Sequence, residues 1–119
     1  MNYQTIDAPN LLGQFNGDEE ILIEMIEIFN LGLSDLLNNI RGSIEGRDAN
    51  QLRITAHTFK GIMKNFYAVE GAELAYDLEG RGAKAQFSDA LEILNKLEDQ
   101  LTVFLYELQV LKSGLSKSQ

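Results

Sequence analysis

Within the 21 residues from Ala49 to Val69 there is no Asp or Glu, yet the stretch holds Arg53, Lys60, Lys64 and the chain's one histidine, His57. Composition alone would place about three acids there. On an α-helix, positions i−4, i, i+3, i+4 and i+7 fall on one strip, so Arg53, His57, Lys60, Gly61 and Lys64 would share a face. Phe59 and Met63 point well round the helix from that strip, which leaves His57 toward solvent. An exposed imidazole, ordinarily with a pKa near ~6.5, keeps an unprotonated fraction at neutral pH that can act as a nucleophile. Three cations on the same strip would attract the oxygens of a phosphoryl group, which carry the charge of a loose transition state. Gly61 costs about 1 kcal/mol in a helix interior relative to Ala. Its effect would be to leave the surface beside the imidazole bare for an approaching molecule.

The remaining composition narrows the chemistry. Among 119 residues there is no cysteine, which removes disulfides, thiolate metal sites and thiol catalysis. One histidine cannot build the multi-histidine centres of zinc or di-iron proteins, and the Glu-x-x-His pairs of metal-binding bundles are absent, so a metal-dependent bundle enzyme has little support. We expect no metal and no bound cofactor. No Gly-rich nucleotide loop is present, so self-phosphorylation from ATP is not expected. Nor does an acid stand among the helical neighbours of His57, the first one after it being Glu70, so that helix offers no base for hydrolysis.

The formal charge is −8, from 18 acids against 10 bases, which argues against a broad grip on nucleic acid or anionic membrane. The imbalance sits mainly in the first 40 residues, with seven acids and no Lys or Arg. No apolar run approaches the ~18 residues of a membrane helix, and the N-terminus lacks a signal-peptide pattern, so a cytoplasmic protein is expected.

Helices must position the strip. Apolar residues recur at spacings of three and four throughout, one proline is present, and no alternating strand pattern competes. A short helix is predicted over Asn10 to Asn16, and a second from Asp18 to Ile44 with Leu22, Ile26, Phe29, Leu33, Leu36 and Ile40 as its apolar stripe. Gly46 is expected as a C-terminal cap and Asp48, with Gln51, as the next N-cap. The third helix, Asp48 to Phe66, buries Leu52, Ala56, Phe59, Met63 and Phe66. A fourth spans Val69 to Glu79 and is closed by Gly80 and Gly82. The last begins near Gln86 to Ser88, carries Ala90, Leu94, Leu97, Leu101, Phe104, Leu108 and Leu111, and gives way to a flexible polar tail over 113–119. These elements define an all-α, up-down-up-down four-helix bundle with a short additional N-terminal helix, forming one domain over residues 1–119.

In that context Ala56-His57-Thr58-Phe59-Lys60-Gly61 resembles the H-x-x-K-G signature of the histidine phosphotransfer (HPt) domains of two-component phosphorelays. The similarity extends over nearly the whole chain, through the short first helix, Gly17-Asp18-Glu19-Glu20, the Phe29 stripe, and Leu78-Glu79 at the expected distance beyond the histidine. It implies that His57 accepts a phosphoryl group from a receiver-domain aspartate and relays it to another receiver. Lys60, with Lys64 as a second cation, would stabilise the phosphoryl group, Gly61 would admit the partner, and Arg53 would be a receiver contact. The implied partners are response-regulator receiver domains, which carry their own divalent metal, and a hybrid sensor histidine kinase; the chain itself would be monomeric. The pattern departs from the family after Gly61: many members have small residues and a second glycine near ten positions past the histidine, where this chain has Ile62, Met63 and Tyr67. Gly71-Ala72 looks like the family's Gly-Ala pair set four residues late. A degenerate relative serving only as a helical interaction module is the alternative.

Overall fold

The structure, a computed structural model, describes residues 2–117. Five α-helices and no strand occur among the described residues: α1 (Ala8–Gln14), α2 (Glu19–Glu45), α3 (Ala49–Asn65), α4 (Val69–Ala83) and α5 (Ala90–Lys117). α2 packs on α3 and α5, and α4 packs on the same two helices, so the four long elements close a ring of contacts. Inside that ring lie the apolar stripes, because burying one face of each helix removes the most apolar area from water. Leu22, Ile26 and Phe29 of α2, Phe59 and Met63 of α3, Leu78 of α4 and Phe104 of α5 are all buried. Phe29 meets Phe59, Phe66 and Phe104 edge to face, with ring centroids 6.5, 5.3 and 5.5 Å away. Leu33 and Leu36, expected in the stripe, are only partly buried.

Gly46 is the C-terminal cap of α2 as expected, with φ −82°, and the left-handed position after it belongs to Arg47 at φ 52°. The end of α4 differs from the expectation: the helix does not stop at Gly80 or Gly82 but runs on to Ala83, with Ala85 left-handed at φ 52°. Tyr67, at φ 55°, plays the same part after α3. In each case two backbone bonds close a Schellman turn: Arg47 and Asp48 donate to Ile44 and Ser43, Tyr67 and Ala68 to Lys64 and Met63, Ala85 and Gln86 to Gly82 and Arg81. The carbonyls satisfied by these bonds outweigh the left-handed penalty of a non-glycine residue. Tyr67 thus occupies the turn position ten residues past His57.

Other boundaries shift by local chemistry. Asp7 caps α1 by accepting from the Asn10 N–H, so Pro9 lies inside the first turn rather than before it. Asp48 caps α3 as expected, accepting from the Gln51 N–H at 3.0 Å, whereas Asp18 makes no side-chain capping bond to α2. α5 starts at Ala90 and continues past Ser113 to Lys117, where a tail was expected; residues 118 and 119 of that tail lie outside the described residues.

One buried acid escaped the sequence reading. The Glu107 carboxylate, 1 % exposed, accepts from the backbone N–H of Gln4 and Thr5 and from the Thr5 hydroxyl, tying the N-terminal segment to α5.

Candidate functional site

Close packing of α3 on α4 builds the site. Gly82 is buried against α3, where a Cβ would fall on backbone atoms of Arg53 and Ala49. Gly71 leaves room for Met63, whose Sδ would lie 2.9 Å from a Cβ there. The late glycine and the bulky Met63 are therefore complementary. Glu79 stands one turn before Gly82 on the same face of α4, so the approach that Gly82 permits carries its carboxylate to α3.

That carboxylate bridges two residues of the strip. Glu79 Oε2 is 2.8 Å from His57 Nδ1, and Glu79 Oε1 is 2.7 Å from Lys60 Nζ. A carboxylate can only accept, so the Nδ1–H donates to it, and in the neutral ring this tautomer leaves the lone pair on Nε2. Oε1 is held by the Lys60 ammonium in a charge-assisted pair. Burial of the Glu79 carboxyl, 19 % exposed, favours its protonated form, but the Lys60 ammonium and the His57 imidazole outweigh this and hold its pKa below the usual carboxylate value. The imidazole itself is 64 % exposed.

The strip residues predicted from sequence end in different surroundings. His57 faces solvent as expected, and Gly61 is exposed with nothing within 4 Å of a Cβ placed on it, so nothing within the chain requires a glycine there. Lys60 is not a free cation: its side chain is 16 % exposed, paired with Glu79 and lying 5.2 Å from the centroid of the Tyr76 ring. Lys64, one turn on, is exposed and shares with Lys60 and Tyr76 a cleft of about 470 Å³ between α3 and α4. Arg53 is exposed and donates to Asn50 Oδ1 at 2.9 Å. The absence of an acid around His57 holds along α3 but not in space, because α4 supplies Glu79. What could have flagged it is the spacing Tyr76, Glu79, Gly82, which puts an aromatic, a carboxylate and a glycine on one face.

On the other flank of α3, Ile62 and Asn65 line a second cleft, of about 350 Å³, with Ile28, Phe29 and Gly32 of α2. Ile28 and Leu31 stand largely exposed on its rim side of α2. Among the described residues no three His, Cys, Asp or Glu side chains gather so as to hold a metal ion, and no helix is long and apolar enough to cross a membrane.

No curated protein sequence matches the chain significantly. Among solved structures, the crystal structure of histidine-containing phosphotransfer protein B (HptB) from Pseudomonas aeruginosa PAO1 superposes with a TM-score of 0.87, covering 94% of this chain and 97% of that one at 21% sequence identity, and so shares its fold. The family description "Hpt domain" matches residues 24–110, a span holding α3, α4 and the whole His57–Glu79–Lys60 cluster. The chain belongs to the Hpt domain family, the histidine phosphotransfer domains of phosphorelays.

Proposed function

We propose that His57 receives a phosphoryl group from the aspartate of one receiver domain and passes it to the aspartate of another. The observation that carries this reading is an imidazole anchored through Nδ1 to Glu79 while its ring stays largely open to solvent. In the forward step the Nε2 lone pair attacks phosphorus, a P–N bond forms, the P–O bond to the donor aspartate breaks, and the electron pair leaves on that carboxylate. No proton needs to move. The Nδ1–H stays in place, so the ring gains positive charge, which the Glu79 carboxylate offsets at 2.8 Å. Lys60, adjoining through the second carboxylate oxygen, and Lys64 attract the phosphoryl oxygens. Reversal of the same step hands the group on.

The receiver docks over Gly61, with the apolar α2–α3 cleft and exposed Ile28 beside it as contact surface and Arg53 at the edge. It brings its own divalent metal; this domain binds no cofactor. The chain acts as one monomeric, cytoplasmic domain whose four long helices run alternately up and down, and a hybrid sensor histidine kinase is a candidate source of the donor receiver.

The test is incubation with a phosphorylated receiver domain. An acid-labile, base-stable phosphate on this protein, abolished in His57→Gln with the helical spectrum unchanged, is the expected result. Equal labelling of His57→Gln, or no labelling of the parent by any receiver in a panel, overturns the assignment and leaves an interaction module.

A further inference from the structure

The ammonium of Lys60 has two neighbours on α4. Glu79 Oε1 lies 2.7 Å from Nζ, and the ring of Tyr76, one turn earlier on the same face, has its centroid 5.2 Å away. The contrast with Lys64 is plain: one turn further along α3 it stays exposed, while the Lys60 side chain is only 16 % exposed. Between Lys60, Lys64, Tyr67 and Tyr76 opens the cleft of about 470 Å³, with Glu73 on its wall. That cleft offers a flexible lysine a second home, with a second carboxylate to pair with, away from His57. A ring attracts a cation over its face through its quadrupole, and that of Tyr76 stands where the cleft begins, among its lining residues.

We propose that Tyr76 is a positioning residue for Lys60, keeping its ammonium on the His57 side of the site instead of in the cleft. The proposal rests on the phosphotransfer reading above and adds to it a residue that touches neither phosphoryl group nor imidazole. Tyr76 is 63 % exposed, so its role is not core packing, and its substitution leaves the buried interior intact.

The test measures the rate of phosphoryl arrival on the intact protein against the concentration of a receiver domain phosphorylated with acetyl phosphate. Tyr76→Leu keeps bulk but loses the ring, and the maximal rate should fall about two- to fivefold, the range expected for an exposed cation–ring contact. The half-saturating receiver concentration should stay unchanged, Tyr76→Phe should retain the parent rate, and Tyr76→Leu should add nothing in a Lys60→Gln background. A shift in half-saturation alone marks Tyr76 as a docking contact and overturns the proposal, as does an equal loss in Tyr76→Phe or an additive loss in the Lys60→Gln background. Proton NMR supplies a readout independent of transfer: the Lys60 ε-methylene protons should be shifted upfield by the ring in the parent and return to ordinary positions in Tyr76→Leu. Unshifted protons in the parent overturn the proposal. A parent that accepts no phosphate overturns the phosphotransfer reading, while the NMR shift still decides whether Tyr76 holds Lys60.

Discussion

Two glutamates, Glu79 and Glu107, reach across the molecule to partners far away in sequence, and they are satisfied in opposite ways. Glu107 is buried and takes neutral donors, two backbone N–H groups and the Thr5 hydroxyl. Glu79 sits at the edge of the interior and takes groups that carry or can acquire charge, the Lys60 ammonium and the His57 imidazole. Neutral dipoles anchor a carboxylate without giving it anything to exchange, and that suits a tether. Partners that are charged or titratable, one of them open to solvent, make the other carboxylate responsive to charge gained or lost at the imidazole. The same side chain therefore serves structure at one end of the chain and chemistry at the junction of α3 and α4.

Substitutions can break this contrast, the largest effect first. Glu107→Ala leaves the buried Thr5 N–H and hydroxyl without an acceptor, and at about 1–3 kcal/mol for each unsatisfied group the expected loss is about 3 kcal/mol in denaturant unfolding. Phosphoryl acceptance per folded molecule should be untouched. If transfer falls as steeply as stability, the division between tether and site is wrong.

Gly82→Ala probes the approach that delivers Glu79. Its Cβ would meet the backbone of Arg53 and Ala49, which cannot rotate aside, so we expect a cost of about 1–3 kcal/mol together with slower transfer as α4 is pushed from α3. Loss of stability without any change in transfer rate would separate the helix spacing from the site geometry.

Glu79→Gln is the smallest in stability and the most specific in chemistry. The amide can still accept the Nδ1–H, but the bond no longer involves a charge, a difference of about 1–1.5 kcal/mol, which lowers the transfer rate by about tenfold. Its pH dependence has a definite sign. Because the folded-state pKa of Glu79 is lowered, its contribution to stability is complete above the ordinary carboxylate value of 4.5 and is lost as pH falls through the lower folded value. Parent and Glu79→Gln should thus differ in unfolding free energy above the ordinary carboxylate value of 4.5 and converge as pH falls below it. A gap that goes on growing as pH falls below 4.5 would contradict the direction of the shift.

Much of the scaffold was legible before any coordinates. Four-three spacing identified every long helix and nearly all of the core, because burial of one face imposes a 3.6-residue period that any sequence must display. The strip of Arg53, His57, Lys60, Gly61 and Lys64 followed from the same periodicity. Gly46 capped α2 as expected, but the end of α4 was misjudged where Gly80 and Gly82 were taken as stop signals. At Arg47, Tyr67 and Ala85 the turn hydrogen bonds impose a left-handed backbone on residues that do not favour it, and at Gly82 the glycine serves a neighbouring helix instead of ending its own. Neither role leaves a local signature.

Taken alone, the amino-acid sequence determined an all-helical chain with its histidine, cations and bare glycine on one helical strip, since those relations lie within a few turns and are set by helix geometry. Only the tertiary structure decided that the strip is not acid-free in space. Glu79 lies 22 residues from His57, and its arrival at Nδ1 and Lys60 depends on how closely two separate helices pack, a distance set by Gly82 and by Met63 over Gly71. Periodicity along one helix carries no information about that distance, so the residue that orients the imidazole became visible only once α3 and α4 were seen together.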